Sequence, residues 1–149
     1  MFQGDGRPRL RGAAALGSNN GSSWADAYTD LRQALNSGAT EVWVAQGTYH
    51  PDIPNGDRSR SFVIHSGQQV YGGFRAGATS LAERDPQAYP TVLSGDLNEN
   101  DTPTGGNMSE NAYHVVFADG AADFLLDGFI IRSGNAHVAQ YGAGAWFNS

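Results

Sequence analysis

The sequence predicts an all-β fold, a parallel β-helix in which short strands stack as the coils of a solenoid. Short apolar segments rich in β-branched and aromatic residues alternate with bends that contain glycine, and none of these segments has the length of a helix. The clearest example is 124–135, where two apolar segments flank Asp127-Gly128 and a polar turn at 133–135 follows. The chain has 20 glycines and only 16% charged residues, which suits a folded chain that turns often.

The same alternation predicts strands along the chain from residue 41 onward. The predicted strands are 41–45, 61–64, 69–74, 91–93, 114–117, 124–126, 129–131 and 143–147. We expect 46–49 to be a turn, and Gly72-Gly73 to be a tight corner that only small residues fit. Surface loops are predicted at 50–60, 76–90 and 94–112, the second with one helical turn before a proline.

The N-terminal part is predicted to contain an arm and a helix. Residues 1–20 are expected to form a flexible or partly ordered arm, with a short first strand near 10–16 as the alternative. A helix is then expected from Ser23, which has Asp26 in the capping-box position, to the Ser37-Gly38 stop. Its apolar face consists of Trp24, Ala27, Tyr28, Leu31, Ala34 and Leu35.

This amphipathic helix is predicted to cap the first coil of the solenoid. A first coil would otherwise expose apolar side chains and unpaired backbone groups to water. Burial of the large side chains should contribute roughly 1.5 to 3 kcal/mol each. Residues 21–149 are therefore expected to hold the capping helix and the first coils, and the strand at 143–147, with no stop signal after it, indicates a piece of a longer protein.

Composition excludes several classes of function. The net charge of -6 leaves no basic stripe for phosphate, so no nucleic-acid partner is expected. All nine basic residues are arginine, which excludes lysine chemistry, and the absence of cysteine excludes disulfides and thiolate sites. No apolar run approaches the roughly 18 residues of a membrane span, so none is predicted. The first ten residues lack the apolar centre of a secretory signal.

Six short motifs carry a resemblance that covers the chain from about residue 17 onward. They are GSSWADAYTDL at 21–31, VWVAQGTY at 42–49, VYGGF at 70–74, TVLSGD at 91–96, YHVV at 113–116 and LDGF at 126–129. Together they resemble the N-terminal portion of bacterial right-handed parallel β-helix proteins of the pectate-lyase-like superfamily. The resemblance implies a secreted or cell-surface protein whose coils continue past the end of this chain. Its motifs specify corners of the fold and no chemistry.

The basic and histidine side chains give little sign of catalysis. The resemblance implies that a lyase on this fold would hold calcium with acids and use Arg or Lys as its base. Arg75 and Arg132 each follow a strand, but arginine has a pKa above about 12, so we expect both to be solvated flank residues. The histidines lack metal-ligand spacing: they are His50, His65, His114 and His137. His114 is expected to pack or hydrogen-bond, and no serine has a triad pattern near it.

The strongest functional signal is the acidic run at 96–101. The candidate metal ligands are Asp96, Asn98, Asn100 and Asp101, with Glu99 beside them. Their oxygens suit Ca²⁺, which takes six to eight oxygen ligands at about 2.4 Å. The run is not an EF-hand, because Asp101 occupies the place of the required glycine and Asn107 that of the glutamate. The alternative is a surface turn whose Asp and Asn side chains bond their own backbone.

Two classes of function remain open from the sequence. The favoured one is a non-catalytic extracellular or cell-surface module, a stalk, adhesin or carbohydrate-contacting scaffold with a polysaccharide or cell-surface partner. The alternative is the N-terminal fragment of a calcium-dependent polysaccharide lyase or glycoside hydrolase. If the helix covers only one end, the strand near 143–147 leaves unpaired backbone groups, so a homo-oligomer or fibre through this open C-terminal rung is also expected.

Overall fold

The computed structural model describes residues 9–12, 15–136 and 143–148, and strands dominate it. The elements are β1 (Arg9–Arg11), α1 (Leu31–Leu35), β2 (Glu41–Ala45), β3 (Gly47–Tyr49), β4 (Phe62–Val63), β5 (Gln69–Phe74), a 3-10 turn (Leu81–Glu83), β6 (Thr91–Ser94), β7 (Val116–Asp119), β8 (Leu125–Asp127), β9 (Phe129–Arg132) and β10 (Ala145–Asn148). The fold is thus all-β with little helix. Within this described part, no helix is long and apolar enough to cross a membrane.

The strands form three sheets, and all their pairings are parallel. Sheet A has the order β1-β2-β5-β8, sheet B has β3-β6-β9, and sheet C has β4-β7-β10. From β2 onward the chain visits A, B and C in that order three times, and we call each passage a round. Every strand of the second round pairs with its equivalent in the first and in the third. Val42, for example, pairs with Val70, which pairs with Leu126.

Most strands lie where the sequence predicts them, but the predicted turn at 46–49 is wrong. Gly47–Tyr49 forms β3, which pairs in register with 91–93 of β6. Three residues that include a glycine have little strand propensity of their own. The ladder to β6 supplies their backbone partners, and the buried Tyr49 hydroxyl donates a 2.8 Å hydrogen bond to the Ala45 carbonyl. Strand β7 also begins two residues later than predicted, at Val116.

The predicted start of the helix at Ser23 is also wrong. Helix α1 begins at Leu31, and its N-cap is Asp30, whose side chain accepts a 2.8 Å hydrogen bond from the Arg32 backbone. Ser23 and Asp26 do exchange hydrogen bonds, since the Ser23 hydroxyl donates to the Asp26 carboxylate at 2.8 Å and accepts from the Asp26 backbone at 3.1 Å. These bonds close an isolated turn ahead of the helix.

The segment 17–21 takes the backbone groups that a longer helix would need. In an α-helix the carbonyl of residue 26 accepts from the backbone N–H of residue 30. Here the Asp26 carbonyl accepts instead from Asn20 and Gly21, at 2.9 and 2.8 Å. The Thr29 backbone donates to the Asn19 side chain at 2.7 Å. Only the C-terminal end of the segment with helical spacing therefore forms a helix.

The short helix contains and buries three of the six apolar side chains predicted for its face. Leu31, Ala34 and Leu35 are each at most 2% exposed and belong to the same core cluster as Val42 and Phe62. The helix packs against β1, β2 and β4. Its burial thus joins sheets A and C at the first round.

The main core contains one inward-facing column of side chains from each sheet. In the first two rounds these columns hold Val42 and Val70, Tyr49 and Leu93, and Phe62 and Val116, all at most 2% exposed. Each large side chain buried there contributes roughly 1.5 to 3 kcal/mol. The third-round members of the columns, Leu126, Ile131 and Ala145, are only half-buried. The core is therefore more open at the third round.

A second apolar cluster covers the opposite face of sheet A. Trp43 alternates with the core residues of β2 and stacks on Phe74, with ring centroids 4.6 Å apart. Trp24 packs on Phe74 at 6.0 Å, and its indole N–H donates a 2.8 Å hydrogen bond to the Ala78 carbonyl. Sheet A is thus covered on both faces around Trp43 and Phe74, whereas Gln69 and Leu125 on its outer face are exposed.

The predicted corner at Gly72-Gly73 is a β-bulge. Strand β5 has one more residue than β2 between the pair Trp43–Tyr71 and the pair Ala45–Phe74. Gly73 has a φ of +87°, in the left-handed region that favours glycine. The bulge brings Phe74 to the same face as Trp43, where the two rings stack.

Candidate functional site

A polar cleft lies where the three strands of sheet B end. Tyr49, Leu93 and Ile131 occupy one level of the sheet, so the residues that follow them, His50, Ser94 and Arg132, come next to one another. Parallel strands place their carboxyl ends at the same edge of a sheet. These three residues line a cleft of about 410 Å³ together with Asp96, Glu99, Asp101 and Ser133. The topology therefore gathers polar residues from all three rounds.

The turn at 96–101 forms one wall of this cleft. Asp96 is only 8% exposed, and its two carboxylate oxygens accept hydrogen bonds from the backbones of Asn100, at 3.0 Å, and Asp101, at 2.9 Å. Glu99 takes the left-handed conformation, with a φ of 54°, which lets the chain reverse. Asp96 thus folds the turn around its own carboxylate.

Three carboxylates converge behind this turn. Oxygen atoms of Asp96, Asp101 and Glu110 all lie within 4.8 Å of one another. Three negative charges at such a separation repel each other, most strongly where water is excluded. The Asn111 side-chain amide donates to both Asp101 oxygens, at 3.2 and 2.9 Å. The cluster therefore consists of three acids and one amide, all in the loop 95–115.

Two oxygens at this cluster are buried and have no hydrogen-bond partner. They are Oε1 of Glu110 and Oδ1 of Asn111, and Asn111 as a residue is 0% exposed. A buried polar atom without a partner costs about 1 to 3 kcal/mol. The same Asn111 amide faces the Asp101 carboxylate through its nitrogen. Two hydrogen-bond acceptors without partners are thus buried at a cluster of three carboxylates.

The loop 50–61 holds the acidic loop in place. The Asn55 and Asn98 side chains meet, since Asn98 accepts from the Asn55 backbone at 2.8 Å and donates to the Asn55 side chain at 3.1 Å. The Arg58 guanidinium donates to the Asn111 carbonyl at 2.7 Å and lies 4.4 Å over the Tyr113 ring. These contacts fix both ends of the loop 95–115.

The sequence-predicted metal ligands divide into two groups. Asp96 and Asp101 do come together, but the Asn98 side chain is turned away to Asn55. Asn100 supplies its backbone N–H to Asp96, and its carbonyl accepts from the Asn107 amide at 3.1 Å. The alternative prediction, a turn that bonds its own backbone, therefore also describes part of what this run does.

Glu110 and Asn111 were missed by the sequence reasoning. Glu110 lies nine residues after Asp101, beyond a glycine-rich stretch, and no regular ligand spacing joins the two. The only local signal is an acid followed by an amide shortly before strand β7. Only the path of the loop brings them to the turn.

Of the other residues considered for catalysis, His50 and Arg132 line the same cleft, and His65, His114 and Arg75 lie elsewhere. His50 contacts Glu99 at 3.0 Å, His65 contacts Asn36 at 3.0 Å, and the His114 ring packs 5.3 Å from the Trp146 ring; His137 lies outside the described residues. Arg132 is exposed in the polar cleft, and Arg75 pairs with Glu83 at 3.0 Å.

Two further clefts on the described surface have different linings. One, of about 340 Å³, lies between the end of α1 and the turn at 65–68. The other, of about 440 Å³, is mostly apolar and is lined in part by 15–17, Trp24 and Ala76. Neither brings several acids together, so the cleft at sheet B is the best candidate site.

Comparison of the chain with models of protein families, with curated proteins and with solved structures found no match. The function of the cleft is therefore inferred from its own residues.

Proposed function

We propose that this chain is a right-handed parallel β-helix module of a secreted or cell-surface protein, and that it serves as a rigid, non-catalytic scaffold that contacts carbohydrate. The single observation that carries the proposal is the recurrent strand order. The chain passes through sheets A, B and C three times, and each strand pairs with its equivalent in the next round. A chain that wound into stacked coils would have this connectivity.

The right hand is inferred from a general rule. Connections between parallel strands of one sheet are right-handed in about 98% of cases, because of the twist of the strands. Every connection from one round to the next in this chain joins parallel strands. The short helix α1, packed on β1, β2 and β4, would then be the cap at the first coil.

Engineered disulfides test the winding in all three sheets. The chain has no cysteine, so two introduced cysteines can pair only with each other within one molecule. Neighbouring strands lie about 4.8 Å apart, within disulfide range for register partners on the same face. The three double-cysteine variants pair positions 69 with 125, 63 with 117, and 92 with 130.

All three variants should form an intramolecular disulfide on oxidation and keep the unmodified circular-dichroism spectrum. The matched control moves one cysteine from position 130 to 131, where the side chain points to the opposite face of β9, so it should not oxidise at the same rate. Failure of any of the three pairs, with the protein folded, would contradict the stacked winding.

The proposed carbohydrate contact is tested by binding and turnover together. Acidic and neutral polysaccharides are titrated into the protein, and binding is followed by calorimetry while reducing ends and unsaturated uronate products are assayed. The scaffold proposal expects binding without product. Product formation would contradict it.

A second candidate, a calcium-dependent polysaccharide lyase or glycoside hydrolase, is favoured by the composition of the cleft. It contains several carboxylates, among them Asp101 and Glu99, with the exposed Arg132 beside them. Carboxylate pairs perform glycoside hydrolysis, and the resemblance implies that a lyase on this fold would hold calcium with acids. Product formation that is lost in Asp101→Asn but kept in Glu83→Gln, an acid outside the cleft, would favour the enzyme over the scaffold.

Self-association through the third round is a further proposal about partners. The half-buried Ile131 and the strands β8, β9 and β10 would stack against a second copy, because each of these strands has a neighbour on one side only in the described structure. The molar mass from light scattering should rise with concentration. Ile131→Lys should abolish the rise, whereas Ile130→Lys, at a position already 51% exposed, should not. A constant monomer mass would contradict the proposal.

A further inference from the structure

We propose that the loop 95–115 binds a calcium ion through the side chains of Asp96, Asp101, Glu110 and Asn111. This site goes beyond the scaffold function and does not depend on it. Only two of its four ligands, Asp96 and Asp101, belong to the acidic run that the sequence singles out.

The dimensions and charge of the cluster suit calcium. The three carboxylates offer oxygens that lie within 4.8 Å of one another. Calcium binds oxygen at 2.3 to 2.6 Å, so two ligands on opposite sides of the ion are about 5 Å apart. One ion could therefore contact all three acids, and its two positive charges would offset their mutual repulsion.

The buried oxygens without partners point to the same ligand independently of the charge. Asn111 is wholly buried, and its amide is directed at Asp101 while its Oδ1 has no partner. A half-turn of the amide exchanges its oxygen and nitrogen. It would bring Oδ1 to the place from which the nitrogen now donates to Asp101 at 3.2 and 2.9 Å, and a bond from Oδ1 to the ion would replace these two hydrogen bonds. Oε1 of Glu110, also buried and unpartnered, adds a further acceptor.

No protein cation takes the place of this ion in the described structure. Arg58 of the loop 50–61 donates a 2.7 Å hydrogen bond to the Asn111 backbone carbonyl. His50 contacts Glu99, and Arg132 forms no ion pair with Asp96, Asp101 or Glu110 among the described residues. The charge of the cluster is thus left for a ligand to neutralise.

The ligand type selects calcium among the common divalent ions. All four side chains bind through oxygen, and neither histidine nor cysteine is among them, so zinc and copper are disfavoured. Magnesium requires near-ideal octahedral geometry at about 2.1 Å, whereas calcium accepts irregular carboxylate and amide sets. Extracellular calcium modules bind with dissociation constants on the order of 10⁻⁴ to 10⁻³ M, and we expect this range here.

Calorimetry and thermal unfolding of the full chain test the proposal. Calcium chloride at about 10 mM, ten or more times the expected dissociation constant, should raise the unfolding temperature, and magnesium chloride at the same ionic strength should raise it less. Asp101→Asn and Glu110→Gln should each weaken calcium binding at least tenfold. Both are nearly isosteric, and circular dichroism without calcium verifies that they fold.

The matched control is Glu83→Gln in the loop 75–90. Glu83 lies outside the cleft, and its carboxylate is held by Thr79 and Ser80 of its own loop, so its replacement should leave calcium affinity within about twofold. The proposal is overturned if calcium gives neither heat nor a temperature shift, if magnesium binds as tightly, or if Glu83→Gln weakens binding as much as Glu110→Gln. A failure of carbohydrate binding would leave this result unaffected.

Discussion

Two acidic loops of the molecule differ in how their carboxylates are satisfied. In the loop 75–90, the Glu83 carboxylate accepts from the Thr79 backbone at 2.7 Å, the Thr79 hydroxyl at 2.8 Å and the Ser80 backbone at 3.1 Å, and it pairs with Arg75. In the loop 95–115, buried oxygens of Glu110 and Asn111 have no partner at all. An acid whose bonds are all made by its own loop is explained by folding. Buried acceptors without a protein partner are not explained by the folding of the loop, and the proposed calcium site would account for them.

The largest expected change in the free energy of unfolding comes from removing a buried leucine of the loop 95–115, in contrast to an exposed leucine of the loop 75–90. Leu97 is 1% exposed and fixes the loop 95–115, whereas Leu81 in the loop 75–90 is 41% exposed. Leu97→Ala should lower the free energy of unfolding by about 2 to 5 kcal/mol, because it removes a buried side chain and leaves a cavity. Leu81→Ala should change it by no more than about 0.5 kcal/mol. Urea denaturation of both variants measures the contrast, and equal losses would contradict it.

The next largest change in the free energy of unfolding is expected for Arg84, which holds the loop 75–90 against sheet A. The Arg84 guanidinium donates to the buried Gly72 carbonyl at 2.8 Å and pairs with Asp127 at 2.7 Å. Arg84→Ala should cost about 1 to 3 kcal/mol, because the bond to a buried carbonyl is lost. Arg75→Ala should cost less than about 1 kcal/mol, since its pair with Glu83 is half exposed. A loss for Arg75→Ala as large as that for Arg84→Ala would show that the surface pair dominates.

Removing one charge should act in opposite directions in the two loops. Glu110→Gln in calcium-free buffer should raise the free energy of unfolding by up to about 1 kcal/mol, because it relieves repulsion among three carboxylates. Glu83→Gln should lower the free energy of unfolding, because the carboxylate accepts several hydrogen bonds. Chemical denaturation at neutral pH in the presence of a chelator measures both signs. Destabilisation by Glu110→Gln under these conditions would argue against unrelieved repulsion in the cluster.

The smallest expected effect is a pH dependence in the loop 75–90. Hydrogen bonds from the Thr79 backbone and hydroxyl, helped by Ser80 and the Arg75 charge, hold the pKa of Glu83 below its ordinary value of 4.5. A carboxyl whose pKa is lower in the folded state stabilises the fold above the unfolded pKa. This contribution should be lost as the pH falls from about 4.5 through the lower folded value. The difference in unfolding free energy between wild type and Glu83→Gln should therefore shrink in acid, and a constant difference would contradict the assignment.

The positions of most strands could be predicted from the sequence, because they depend on the local residue types. Strand β2 at Glu41–Ala45 and strand β5 at Gln69–Phe74 coincide with the predicted segments. Their β-branched and aromatic residues favour extended backbone wherever the strand is placed. The need for glycine at 72–73 was predicted for a similar reason, since few residues other than glycine adopt the φ of +87° found at Gly73, but the predicted tight corner is instead a β-bulge inside β5.

Only half of the candidate site could be predicted from the sequence. Asp96 and Asp101 are close in sequence and remain close in space, because the Asp96 carboxylate bonds the backbone of Asp101 itself. Glu110 and Asn111 are held near them by contacts from outside the run, among them the Arg58 bond to the Asn111 carbonyl at 2.7 Å and the bond from the Ala112 backbone to the Gly95 carbonyl at 2.8 Å. A long-range contact of this kind has no periodic signature in the sequence.

The sequence by itself determined the all-β character, most of the strands and half of the acidic cluster, because backbone propensity and short turns depend on neighbouring residues. Tertiary structure decided the rest. Gly47–Tyr49 became a strand only through its ladder to β6, and the segment before Leu31 lost its helix because the loop 17–21 took its backbone hydrogen bonds. In both places a backbone group has several acceptable partners, and the one it takes is set by which distant segment packs beside it.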